Sequence, residues 1–587
     1  MNRKKPTAEG SLENSVKADA EGVRGAPRIS QAKGQGILVF YGDLAFAGFL
    51  FFKGKTKGRN KMEAVEKVIG LINDFMSDYI LLILLVGVGL FYTIRTKFVQ
   101  VRCFGQGVRE IFHRNQKTGK KGISSFGALA TAIAAQVGTG NIVGACGAIL
   151  IGGPGAIFWM WIIAFLGMST IYAEAVLAQK TKIKNEKGET LGGPVYYIRT
   201  AFKGKFGKFL AGFFAVAIVL ALGFFGATVQ ANSIASTMNT AFGVPTWVVG
   251  LVIAAIVGVI IIGGAKRIAG VAEKIVPVMA IIYILGSIVV LCMRIEYIPQ
   301  TFALIFTAAF NPTAAIGGVF GATVAKAITQ GAKRGLFSNE AGMGSTPHAH
   351  ALNEDKTPHQ QGTVAMMGVF IDTFIVLTMT ALVVISTLYT GEGPLVGLET
   401  ESALLATGIA KENMAQMAFG AVWTSSVGNI FVAICLLFFA FTTIIGWNLF
   451  GKINVEYLFG KHKKIAVLIY SILSLGFIIA GSFLSGGIVW SLMDFFNQFM
   501  VLPNVLALFF LSHIVVKELK EGKKKKESRE LLDKMDNCSA TETPTVCELG
   551  QKRTIKIKLI RTSRPNTKRI VRLKLKRKSS STKTVSE

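Results

Sequence analysis

The sequence predicts an all-α polytopic membrane protein of about eleven spans, with two inverted five-helix repeats preceded by one extra helix. Three observations predict it. Of the 587 residues, 51% are hydrophobic and only 17% charged, with 42 Phe, more apolar surface than a soluble chain hides. The apolar residues fall in runs long enough to cross roughly 30 Å of hydrocarbon. Two of those runs are interrupted by small and polar residues, around "QVGTGNIVGACG" (136–147) and "AKRGLFSNEAGMGSTPHAHA" (332–351), five spans apart.

The runs lie at about 77–95, 125–150, 154–179, 209–238, 246–263, 272–293, 314–345, 361–388, 418–447, 465–484 and 487–512. Residues 62–122 form the extra first helix and a basic loop, 123–296 the first repeat, 297–516 the second, and 517–587 a basic tail. Lys and Arg gather in alternate loops: Arg95 to Lys121, Lys180 to Lys208, Lys266 with Arg267, and Lys452 to Lys464. The intervening loops are poor in them; 389–417 carries Glu392, Glu399, Glu401 and Glu412 against a single Lys411. By the positive-inside rule the basic loops and the C-terminal tail are cytoplasmic. The net charge of +30 therefore belongs to membrane loops and tails, which argues against nucleic acid as a partner. The tail, with "KEGKKKKESRE", is expected to sit at anionic lipid headgroups.

The first 61 residues break the alternation. A twelfth span at "GILVFYGDLAFAGFLFF", which holds Asp43, would put the cluster "KGKTKGRNK" on the wrong side, and no small-residue cleavage site follows. A poorly ordered basic extension is expected there, with the working protein beginning near Met62. The six cysteines show no C-x-x-C spacing, so neither a metal site nor a disulfide framework is implied.

Glycines weaken a helix and Asn, Gln and Thr are costly in hydrocarbon, so each break needs compensation. Unwound backbone is tolerated at membrane depth where it lines a polar cavity. In transporters built from inverted repeats, the broken helices open each repeat. Their freed carbonyls coordinate a cation, and half-helix N-termini attract a carboxylate. A single Gly-rich run would read as close helix packing. Two at equivalent positions predict a site for a zwitterion or anion with a small cation.

The stretches "GTGNIVGACGAILIGGPGAIFWMW", "AEAVLAQKTK", "GGPVYYI", "RGLFSNEAGMGSTPHAHA" and "FAFTTIIGWNLFGK" resemble the alanine/glycine:cation (sodium:alanine) symporter family, over roughly Met62 to residue 520. The resemblance implies the leucine-transporter (LeuT-like) fold and sodium-coupled uptake of alanine and glycine at the plasma membrane of a prokaryote. Na+ is then the co-transported ion, no cofactor is needed, and a monomer is expected. It places Thr139, Gly140, Gln230, Phe337, Asn339, Thr443 and Trp447 around the amino acid, with Phe337 as a gate and Trp447 limiting side-chain size. It places sodium near Ala135, Gly138, Asn141, Thr442 and Thr443. Asn232, two residues after Gln230, points elsewhere on its helix.

Other polar groups in apolar runs need partners. Glu174 and Asp372 read either as cation-site neighbours or as clamps within the bundle. Asp494 is a candidate outer gate, able to pair with Lys333 or Arg334, which also lie near Glu340. His348 and His350, two apart on a helix, face different ways and read as helix-end residues rather than ligands. No nucleophile–base constellation or P-loop suggests an enzyme, and paired breaks in one chain argue against a channel. Proton-coupled or exchange transport on the same fold remains the nearest alternative.

Overall fold

The computed structural model describes residues 58–112, 123–184, 190–311, 324–396, 406–484 and 486–524. Expectations placed on residues 1–57, on Lys117, Lys120, Lys121 and Lys187, on Glu399 and Glu401, on the start of the 314–345 run and on the tail beyond 524 lie outside them. By packing, the chain divides into Met1–Leu71 and Ile72–Glu587. Of the first unit, residues 58–71 are described, and they are helical; residues 58–61, assigned above to the extension, are part of that helix.

The described residues of the second unit are almost wholly helical, as apolar runs in lipid must be to satisfy their own backbone. We number in chain order the helices that build the site: α1 (Ser125–Gln136), α2 (Ala145–Gly152), α3 (Gly155–Thr181), α4 (Ala227–Phe242), α5 (Val324–Asn339), α6 (Pro358–Val369), α7 (Ser425–Phe459) and α8 (Gly486–Phe510). Several run on through π-helical turns: Phe370–Leu377 follows α6, and Val219–Gly226 precedes α4.

Among the described residues, seven helices are long and apolar enough to cross a membrane, and α1 with the segment Gly140–Gly152 makes an eighth, bent by 49°. Length and composition alone do not confirm the exact count of eleven. Ser425–Gly481 is one apolar helical stretch that turns at Gly460, whose φ of +44° suits a residue without Cβ. Thr246–Ile262 and the described part of α5 are shorter than a full span. After a turn at Leu511 a further helical segment runs to residue 524, with Glu518 buried and paired to Lys180 at 2.6 Å.

Candidate functional site

The first break starts from a capped helix. Ser124 accepts from the Gly127 amide at 2.8 Å and donates to Glu273 at 2.7 Å, which closes the open end of α1. At Val137 the backbone leaves helical angles (φ −81°, ψ 89°), and it resumes through the π turn Gly140–Gly144 into α2. Within the gap, Asn141 folds back so that its Oδ1 accepts from the Gly138 amide at 3.0 Å. The Thr139 amide donates to Gln230 Oε1 on α4 at 3.1 Å. A Cβ on Gly138 would lie 3.1 Å from that same Gln230 oxygen, so only glycine leaves this backbone open.

The second break begins after α5. Glu340 sits in left-handed backbone (φ +58°), a conformation costly for a side-chain-bearing residue, and Gly342 and Gly344 follow at φ +94° and +79°. The strained turn is held from outside. Glu174 on α3 accepts from the Gly342 amide at 3.2 Å, the Gly344 amide at 3.0 Å and Asn504 Nδ2 at 2.5 Å. Asn504 in turn donates to the Gly342 carbonyl at 2.9 Å and accepts from the Tyr197 hydroxyl. Through these contacts Glu174 supports the second break.

The two breaks touch. A Cβ on Gly140 would lie 3.0 Å from the Phe337 ring and 3.1 Å from Ser338 Cα, and Gln136 donates to the Asn339 carbonyl at 2.7 Å. Asp372, on the π turn after α6, joins them. It accepts from Asn141 Nδ2 at 2.7 Å, from Ser338 Oγ at 2.9 and 3.1 Å, and from Thr373 Oγ1 at 2.8 Å. It is buried, and among the described residues its hydrogen-bond partners are all neutral. Beside the first break, Gln230 Nε2 and Thr139 Oγ1 are among the buried side-chain atoms that find no partner among the described residues, as is Gln136 Oε1.

Aromatic side chains wall this region. The Phe337 ring lies 6.0 Å from Trp447 and 5.0 Å from Trp490. The Trp447 indole N–H donates to Glu340, whose other oxygen accepts from Ser345. Asp494 on α8 pairs with Lys333 at 3.1 Å and Arg334 at 3.3 Å, and Arg334 also lies over the Trp490 ring at 4.8 Å. Of the two partners open to those cations in the sequence, Asp494 takes both.

The predicted site residues divide. Thr139, Gly140, Gln230, Phe337 and Trp447 converge. Asn339 braces the second break, its Oδ1 accepting from the Ala341 amide at 3.1 Å. Thr443 Oγ1 reaches the first break, 2.9 Å from the Ala134 carbonyl and 3.4 Å from that of Val137, rather than the carbonyls of Ala135 and Gly138 expected beside it. Thr442 is not brought to the break: its hydroxyl donates to the Phe439 carbonyl at 2.9 Å and faces Met279 Sδ at 3.5 Å. Adjacent helical residues point about 100° apart, so α7 can present only one of the two. Asn232 donates to the Gly481 and Leu484 carbonyls, away from Gln230's side.

The histidines are buried on separate partners, His348 between the Ser345 carbonyl and Asn454, His350 on Gln361. No cluster of metal-ligating side chains forms among the described residues. Beyond the breaks, Glu354 accepts from Thr190 at 2.6 Å and pairs with Lys184 at 3.3 Å; the Thr190 hydroxyl, and then Lys184, hold its carboxyl below the usual range. Thr373, Ala134, Val137 and Asn504 were not singled out in the sequence. Thr373 and Asn504 are polar residues in apolar runs, a signal that was there to use.

Residues 62–536 match the sodium:alanine symporter family. An uncharacterized transporter of Haemophilus influenzae is 40% identical over 458 residues, covering 78% of this chain and 96% of its own. The sodium/alanine symporter AgcS of Methanococcus maripaludis is 39% identical, covering 77% and 96%. The probable sodium/glutamine symporter GlnT of Bacillus subtilis is 38% identical, covering 79% and 92%. A polytopic bundle built on two facing broken helices, matched over most of its length, makes this chain a transporter rather than an enzyme, and a member of the sodium:alanine symporter family.

Proposed function

We propose that the protein imports alanine or glycine together with Na+ by alternating access, as a monomer in the plasma membrane of a prokaryote, with its C-terminus cytoplasmic. The observation that carries this is the pair of unpartnered buried groups, Gln230 Nε2 and Thr139 Oγ1, beside the opened backbone at Gly138. A buried donor left unpaired costs about 1–3 kcal/mol. A substrate carboxylate accepting from Gln230 and Thr139 removes that cost, so these two donors favour a ligand of this chemistry.

Two places suit the cation. Asp372 is a carboxylate with neutral partners at the junction of both breaks, and an ion beside it would offset its buried charge. The Thr443 hydroxyl has one proton for the Ala134, Val137 and Phe439 carbonyls around it, so oxygen lone pairs gather there in excess of donors. Hard oxygen ligands favour an alkali or alkaline-earth cation, and the family expectation is Na+. Moving one charge inward gains about 2.3 kcal/mol per 100 mV of membrane potential.

Trp447 and Phe337 support a small side chain. Trp447 is fixed by Glu340 and faces Gly226, where a Cβ would come within 2.7 Å of its ring. Larger amino acids, such as the glutamine in one relative's name, would have to displace that wall. Uptake of labelled alanine into proteoliposomes, with Na+ or K+ outside, tests the reading. Uptake driven by a proton gradient and indifferent to Na+ would replace it with proton coupling.

A further inference from the structure

Outside the site, the most unusual surface is the short basic segment after helix Leu82–Arg95. Residues 97–112 contain two further helices, Val99–Arg102 and Phe104–Phe112. One side faces the protein: Val99, Cys103 and Gly107 are buried, four apart. Gly107 has no room for a Cβ, which would lie 2.6 Å from the Thr363 carbonyl on α6. Exposed apolar side chains are Phe98, in left-handed backbone just before the first helix, Val101 on it, and Val108 and Phe112, four apart on the second, Phe112 by 82%. Arg102 and Arg109 follow Val101 and Val108 directly and are exposed too.

Exposed apolar residues on a spanning helix face hydrocarbon tails and need no comment. Here they lie just past Arg95, where the apolar helix ends, and they alternate with fixed positive charges. An apolar stripe edged by Arg is the pattern of a helix lying in the membrane plane, its stripe about 5–10 Å into the headgroup–acyl boundary. We propose that residues 97–112 form an interfacial surface for anionic phospholipid headgroups, with Phe98, Val101, Val108 and Phe112 entering the acyl boundary while Arg102 and Arg109 meet the phosphates. The arginines commit the surface to lipid rather than to a protein partner. A guanidinium pairs well with phosphate oxygens, and an apolar stripe beside it finds its complement in the same bilayer.

The surface is joined to the transport core. Glu110 accepts from Lys356 at 2.5 Å and from Gln360 at 2.9 Å, which tie it to the segment between the second break and α6. Phe104 packs edge-on against Phe370, two residues before Asp372, with centroids 4.9 Å apart. Lipid bound here therefore bears on the elements that hold the site.

The test uses the full-length chain with exposed Cys292, and Cys538 and Cys547, replaced by serine, and a spin label at Phe112→Cys or, separately, Val108→Cys. The protein is reconstituted in phosphatidylethanolamine vesicles with and without phosphatidylglycerol. Both labels are expected to collide several-fold more often with oxygen than with an aqueous nickel chelate, and to move deeper with phosphatidylglycerol. The pair Arg102→Gln and Arg109→Gln should abolish that lipid dependence, since each basic residue near an anionic surface favours it about five-fold. Water-like collision with the chelate at both positions overturns the interfacial placement. Embedded labels indifferent to phosphatidylglycerol and to the arginine replacements overturn the headgroup assignment.

Discussion

Asn141 donates its side-chain amide to the Asp372 carboxylate over 2.7 Å, joining two residues 231 positions apart. The bond fixes the first break against the helix that carries Asp372, and Ser338 brings the second break to the same carboxylate. One acidic group thus holds both interrupted helices.

If Asp372 is the charge that Na+ offsets, Asp372→Asn should remove sodium activation while leaving the fold intact. The amide keeps the size and part of the hydrogen bonding but not the charge. Alanine uptake measured against sodium concentration should lose its dependence or shift at least about ten-fold, of order 1.4 kcal/mol. An unchanged sodium curve would remove Asp372 from the cation site.

Thr443→Ala takes away the one hydroxyl that faces the Ala134 and Val137 carbonyls. A lost ligand contact of about 1 kcal/mol raises half-saturating sodium roughly five-fold. Thr442→Ala is the control, because its hydroxyl faces Met279 and should leave sodium activation in place. Equal effects of the two would contradict the assignment of α7's faces.

Replacing Trp447 by Phe removes the indole N–H that Glu340 accepts and opens space toward Gly226. Competition against alanine uptake should then show larger neutral amino acids binding better, while alanine itself weakens. If the competition profile keeps its order, substrate size is set elsewhere.

Glu174→Gln tests the clamp on the second break. A neutral amide has one acceptor oxygen where the carboxylate had two, so a glycine amide of the turn loses its partner. Thermal unfolding in detergent should report a loss of about 1–3 kcal/mol. Transport should fall through its maximal rate, with half-saturating sodium unchanged. A shift in sodium affinity instead would favour the reading of Glu174 as a cation neighbour.

Much of this arrangement is legible in the sequence because its cause is local. Glycines and amides inside an apolar run are costly wherever they sit, so both breaks show themselves without a partner. Gln230 and Trp447 are visible through the family resemblance. What stays hidden depends on packing between distant segments. The cost of Asp372 and Glu174 in hydrocarbon is plain from "FIDTF" and "YAEAV", yet only the fold separates a carboxylate joining two breaks from one clamping a turn. Thr442 and Thr443 are indistinguishable as letters, and helix rotation decides between them. The exact number of spans is not confirmed by helix length and composition, which count Ser425–Gly481 as one stretch although it turns at Gly460.

The central claim is that the paired breaks bind an amino acid and Na+ together. Equilibrium binding of labelled alanine to the purified protein, titrated with sodium at constant ionic strength using potassium, tests it most directly. The account predicts that alanine affinity rises steeply with sodium in the wild type and that Asp372→Asn flattens this rise. Alanine binding of equal affinity in sodium and potassium would contradict it.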